Sequence, residues 1–203
     1  MNPYINLVLI SATCVLICNA KAQPIPQPSN PEASSSVLDV MKSYTSSGWM
    51  GDGAAGKKYV QIDEVCKINT RPHKQTCTKV TYSIGPKGWA GIYWLNKPDN
   101  WGDKAGEDFS SRGFKRVTFW ARGERGGEVV EFKTGGVSDP EKRFKDSFEK
   151  TTGKVSLEMD WKQYTINIER QNLTNVIGLF CWVANDTSNP SGLIFYIDQI
   201  EYE

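Results

Sequence analysis

One histidine, His73, is the whole imidazole supply of this 203-residue chain. A serine or cysteine nucleophile needs a positioned base, and a catalytic zinc draws largely on histidines. A lone His in the polar stretch KINTRPHKQT argues against both. Glycoside hydrolysis by carboxylates alone needs two acids facing one bond. The nearest approach is Glu158-Met159-Asp160-Trp161-Lys162-Gln163, and Gln163 stands where the second acid would be required. A lyase built on Tyr and Arg stays open, because both residue types are abundant. The run GERGGE joins two strand-like segments, where paired glycines serve a turn rather than a phosphate. What the chain does offer is aromatic rings beside charge. Trp and Tyr stack on the apolar faces of pyranose rings, while Arg, Lys, Glu and Asp take up hydroxyls.

The rings are placed by strands. In FKRVTFWAR, alternation sets Val117, Phe119 and Ala121 on one face and Thr118, Trp120 and Arg122 on the other. In EVVEFKT, Val130 and Phe132 point inward and Glu131 and Lys133 outward. In NVIGLFCWVAN the series Ile177, Leu179, Cys181, Val183 is uniformly aliphatic, so the core is expected to claim it and Trp182 to face out. Along GWAGIYWL, Trp89, Gly91, Tyr93 and Leu95 share a face and Ala90, Ile92 and Trp94 the opposite one. Pattern alone does not decide which of these is core. Trp94 is taken as a sugar contact and Trp101 as a cap over an open end of the barrel-like layer pair.

Strand signals recur at short spacing: near 37–44, 57–65, 78–84, 88–95, 114–122, 128–134, 144–149, 153–159, 161–169, 175–184 and 193–202. Turn residues such as Gly85-Pro86, Gly135-Gly136 and Asn189-Pro190 separate them. Many strands without helices to cover a parallel sheet predict an all-β fold, an antiparallel β-sandwich of jelly-roll form.

Ahead of that domain, the apolar run INLVLISATCVLIC is too short for a comfortable membrane span and is followed by Ala20-Lys21-Ala22, the small-x-small form that signal peptidase cuts. Residues 1–22 are therefore read as a signal peptide, 23–36 as a Pro/Ser-rich linker and 37–203 as the folded domain, with a secreted, periplasmic or cell-surface location. No membrane insertion is expected after cleavage. The chain has 24 basic and 23 acidic residues, and loss of Lys21 equalises them. A neutral protein without charged blocks makes no electrostatic claim on nucleic acid. In an exported chain, Cys66 and Cys77 flanking a polar loop predict a disulfide, and Cys181 within VIGLFCWV reads as core.

WAGIYW followed by NWG, FKRVTFWARGERGGEVVEF, DSF at 146–148, WKQYTINI, VIGLFCWV and LIFYIDQIEYE, in that order, resemble a family of bacterial secreted domains with the galactose-binding-like β-sandwich seen in carbohydrate-binding modules. The resemblance runs from about Gly48 to the C-terminus. It implies a monomeric, non-catalytic module that recognises a polysaccharide or glycan on the concave outer face of one sheet. The matching candidates are Trp120, Arg122, Glu131, Lys133, Asp146, Trp182 and Trp94. It also implies a structural calcium where the last strand meets the N-terminal segment, with Asp198 of FYIDQI and Asp52 of GWMGDG as ligands. Two other readings stay open on the same fold: a lyase or carboxylate-only glycosidase, and a cell-surface structural or adhesion module.

Overall fold

The computed structural model describes residues 37–56 and 58–203; the expected leader and linker lie outside the described residues. The strands are β1 (Leu38–Asp39), β2 (Thr45–Gly51), β3 (Val60–Cys66), β4 (Cys77–Tyr82), β5 (Trp89–Leu95), β6 (Arg116–Gly123), β7 (Val129–Gly135), β8 (Glu149–Ser156), β9 (Lys162–Asn167), β10 (Gly178–Asn185) and β11 (Leu193–Tyr202). They form two antiparallel sheets. One runs β3-β4-β11-β6-β9 with β1 paired to β11, and the other runs β2-β5-β10-β7-β8. The all-β sandwich expected from strand spacing is what forms. Among the described residues no helix is long and apolar enough to cross a membrane.

Alternation builds the core directly. Val117, Phe119 and Ala121 of β6 meet Val130 and Phe132 of β7 between the sheets, all fully buried. Phe119 lies 4.6 Å from Phe132 and 4.9 Å from Phe180 between ring centroids, tilted or edge-on. Such pairs add about 0.5–1.5 kcal/mol each beyond the area they bury.

Three elements depart from the expected strands. Over 37–44 the chain makes only β1 and then one helical turn, α1 (Val40–Ser43), which Asp39 caps by accepting from Lys42 N at 3.2 Å. The edge strand β2 was not expected, because TSSGWMG lacks alternation; a register shift between Ser46 and Gly48 lets it follow β5. Two expected strands, 144–149 and 153–159, contribute to a single β8 that passes through Gly153 at φ +65°. Glycine holds that left-handed conformation without a Cβ penalty, so the strand continues past it.

Candidate functional site

The sequence-predicted contact residues do not come together. Trp120 and Arg122 lie on the outer face of the six-stranded sheet, and Glu131 and Lys133 on the outer face of the other. Trp120 is not open. The Arg71 guanidinium sits 4.2 Å from its ring centroid, donates to Gln199 Oε1 at 2.7 Å and lies 3.4 Å from Asp198 Oδ2. Arg122 donates to Gly123 O at 3.0 Å and packs over Tyr196. The 67–76 loop is pinned there by Asn69, whose side chain donates to Tyr196 Oη at 3.0 Å and whose carbonyl accepts from Trp161 Nε1 at 2.9 Å. At the loop's base Cys66 stands opposite Cys77 in the β3–β4 ladder. The expected disulfide is not formed: both are free, buried thiols, and each sulfur lies within 3.6 Å of Ile68 O. Burial and the neighbouring Cys66 push the Cys77 thiol up to about 12, which disfavours the thiolate that disulfide exchange requires.

Trp182 and Trp94 are corrections. Both indoles are sealed between the sheets, Trp182 edge-on to Phe195 at 5.4 Å and Trp94 edge-on to Phe180 at 5.9 Å. Expecting the aliphatic series of β10 to be core failed because both faces of β10 are buried. A register shift between Gly178 and Phe180 turns Phe180, Trp182 and Ala184 inward. Ile177 and Cys181 instead join a second apolar cluster on the outside of the sheet with Tyr93, Leu95 and Val137, flanked by Met50, Trp101, Phe144 and Val183. Trp101 thus packs against Tyr93, centroids 6.0 Å apart, on this outer face rather than at an end of the sandwich.

Beside that covered patch the same face keeps one exposed ring, which the sequence candidates lacked. Register aligns Met50, Gly91, Val183, Glu131 and Lys154 in one row across the sheet, and Gly48, Tyr93, Cys181, Lys133 and Thr151 in the next. Gly91 is buried and lets Met50 and Val183 close over the strand: a Cβ there would lie 2.7 Å from Trp182 O and 2.9 Å from Met50 Cε. Trp89 shares its parity and is 40% exposed. Facing these residues, Lys133 Nζ lies 3.0 Å from Glu149 and 3.8 Å from Glu131, and Thr151 donates to Glu131 at 2.7 Å. Burial pulls the Lys133 ammonium down, but Glu149 and Glu131 outweigh it and hold it above the usual lysine value. A hollow of about 30 Å3 between Glu131, Lys154, Val183 and Asn185 has room for one water. This is a shallow strip, apolar at one side and charged at the other. Trp89 was missed although its face was legible; its ring lies against Gly51, where a Cβ would meet Trp89 Cδ2 at 2.8 Å.

Asp146 is a support beneath that face. Its carboxylate accepts from the backbone N–H groups of Val137 (2.7 Å), Ile177 and Gly178, fixing the loop before β8 to the start of β10. Burial pushes its pKa up to about 6, against the opposing pull of those three donors. Its oxygens face protein amides and are not offered to a sugar.

The implied calcium ligands do not fit a metal. Asp52 is buried and accepts from Tyr82 Oη at 2.9 Å, Gly85 N at 3.0 Å and Lys87 N at 2.7 Å. Burial raises its pKa, but these donors outweigh burial and leave it below the ordinary value. Asp52 reaches β11 only at the Tyr82–Leu193 pair, and Asp198 lies five residues further along, roughly 17 Å at strand rise. Among the described residues no three His, Cys, Asp or Glu side chains converge on one point.

Neither a family model nor a curated relative matches the chain. Solved structures do. A family 11 carbohydrate-binding module from Clostridium thermocellum, solved in complex with a beta-1,3-1,4-mixed-linked tetrasaccharide, superposes with a TM-score of 0.54 at 14% identity, covering 82% of this chain and 93% of that one. The family 11 module of a cellulosomal cellulase of the same organism gives 0.51 at 14%, covering 82% and 92%. A family 30 carbohydrate-binding module gives 0.51 at 15%, covering 81% and 86%. The described domain therefore has the β-sandwich fold of carbohydrate-binding modules.

Proposed function

We propose that the protein is an exported, non-catalytic carbohydrate-binding protein whose contact surface is the outer face of the five-stranded sheet. The observation that carries this reading is an exposed indole, Trp89, on the same sheet face as the partly exposed Met50 and Val183 and the Glu131–Lys133–Glu149 group. A glycan laid across the strands meets apolar surface for its ring faces at one side and donors and acceptors for its hydroxyls at the other. The strip is shallow and its charges are paired with one another, so affinity is modest, in the micromolar to millimolar range. The fold shared with modules solved as sugar binders supports the reading, and it holds a polysaccharide chain better than a small buried ligand. Export belongs to the same proposal, as does a monomeric state.

In the stretch nearest a hydrolase signature, one of the two carboxylates is already engaged. Glu158 is exposed and bound to Lys162 at 2.7 Å, and Asp160 is exposed in the adjoining turn. Electrophoresis through gels cast with soluble polysaccharides, alongside assay of the same mixtures for new reducing or unsaturated ends, tests the proposal. Retardation by at least one polysaccharide without product is expected; product release overturns the non-catalytic part, and free migration through every polysaccharide overturns the binding part.

A further inference from the structure

A hollow of about 280 Å3 opens where β4 ends, β6 turns into β7 and β11 begins, and it shares no residue with the strip on the five-stranded sheet. Ile194, Ser83 and Ser191 line it, together with Glu124, Arg125 and Glu128 from the β6–β7 turn. The turn's backbone is held from several sides. Glu124 N donates to Ile194 O at 3.0 Å, Gly127 N to Leu157 O at 2.7 Å, and Arg125 N to Glu128 Oε1 at 2.8 Å.

The Glu124 carboxylate accepts from Tyr196 Oη and, at 3.1 Å, from Asn69 Nδ2, but other side-chain ends are not so engaged. Among the described residues the Arg125 guanidinium and the Ser83 and Ser191 hydroxyls have no protein partner, and Glu128 Oε2 is buried against Gly123 with no donor. On the five-stranded sheet, by contrast, Lys133, Glu131, Glu149 and Thr151 bind one another. A fixed backbone that presents unpartnered polar ends around a small hollow is arranged for a ligand.

We propose that this hollow binds a single neutral sugar unit, such as the end residue of a glycan chain. Its volume lies just under the ~300 Å3 at which pockets for drug-sized ligands begin, which suits a single sugar ring. The charges select the class. Two carboxylates, Glu124 and Glu128, repel an anion, and the free guanidinium repels a cation. A polyol both donates and accepts. Adjacent hydroxyls match the fork of Arg125, further hydroxyls meet those of Ser83 and Ser191, and Ile194 meets the C–H face of the ring. The site stands independently of the strip around Trp89.

The test is amide-resolved NMR of the isotope-labelled full chain titrated with glucose, galactose, mannose, xylose and N-acetylglucosamine. At least one sugar is expected to shift the amides of Arg125, Ser191 and Gly192 in a saturable way. Arg125→Ala, at an exposed position, raises the dissociation constant by about tenfold or more. Trp89→Ala changes it by less than about twofold. Absence of saturable shifts with all five sugars overturns the proposal, as do shifts that survive Arg125→Ala at unchanged affinity, or the same shifts produced by sodium acetate. Should this site fail while polysaccharide retardation persists, only this inference falls; the reverse outcome removes the strip and leaves the hollow.

Discussion

Trp182 shows how one residue decides which surface is available. Its ring fills the space against Phe195, and its Nε1 is buried without an acceptor. Truncation to Ala is expected to destabilise the fold by about 3–5 kcal/mol, whereas Phe, which removes the orphaned N–H along with part of the ring, loses less than half of that. Chemical denaturation of the two variants measures both. Equal stability of Trp182→Ala and the parent would contradict the core placement. Asp146 makes a pH prediction. Its folded pKa, about 6, is raised above the ordinary carboxylate value, so the folded state takes up the proton more readily than the unfolded chain. The resulting stabilisation is complete below about pH 4 and is lost as pH rises through 6, a change of roughly 2–3 kcal/mol. Denaturation midpoints should therefore rise from pH 7 to pH 5 in the parent, and the rise should be smaller in Asp146→Ala. Residue faces on β6 and β7 were legible because each has one apolar and one charged side. Those of β10 were not, because both sides are apolar.

At the level of elements, the bulge in β10 and the loop between β3 and β4 do most to set what is exposed. The bulge gives the sheet a second apolar layer outside, so an aliphatic face no longer means the interior. No local pattern announces that layer, since its cover comes from Trp101 and Phe144, distant in sequence. The 67–76 loop carries Arg71 onto Trp120, and its two ends carry Cys66 and Cys77 at one ladder position. Polar, Pro-containing composition identified that segment as a loop; nothing in it specified which ring it would cover. Oxidation by a disulfide such as glutathione disulfide is expected to join the two sulfurs, with two thiol hydrogens leaving and the glutathione disulfide reduced. The link closes a short loop and raises stability by about 2–3 kcal/mol. Intact mass and thiol titration before and after treatment report the bond, and the unfolding midpoint reports its effect. Two titratable thiols persisting in the oxidised, folded protein would contradict it.

Across the whole described domain, strand spacing and alternation were enough to reach an antiparallel sandwich, and the solved modules superpose on most of it. Which sheet would be open was beyond them. Trp120 and Lys133 have the same parity on neighbouring strands in sequence, yet β6 and β7 belong to different sheets, so the two side chains emerge on opposite faces. Alternation reports a side relative to one sheet and carries no information on which sheet a strand joins. On the six-stranded face Arg71 covers Trp120, and the five-stranded face keeps Trp89 exposed beside Gly51. The decisive comparison is polysaccharide retardation of the parent, Trp89→Ala and Trp120→Ala in the same gels. With the five-stranded face as the contact surface, Trp89→Ala weakens retention about fivefold or more, from the loss of roughly 1 kcal/mol of stacking, and Trp120→Ala migrates like the parent. Unchanged retention in Trp89→Ala, together with loss in Trp120→Ala, would contradict the account.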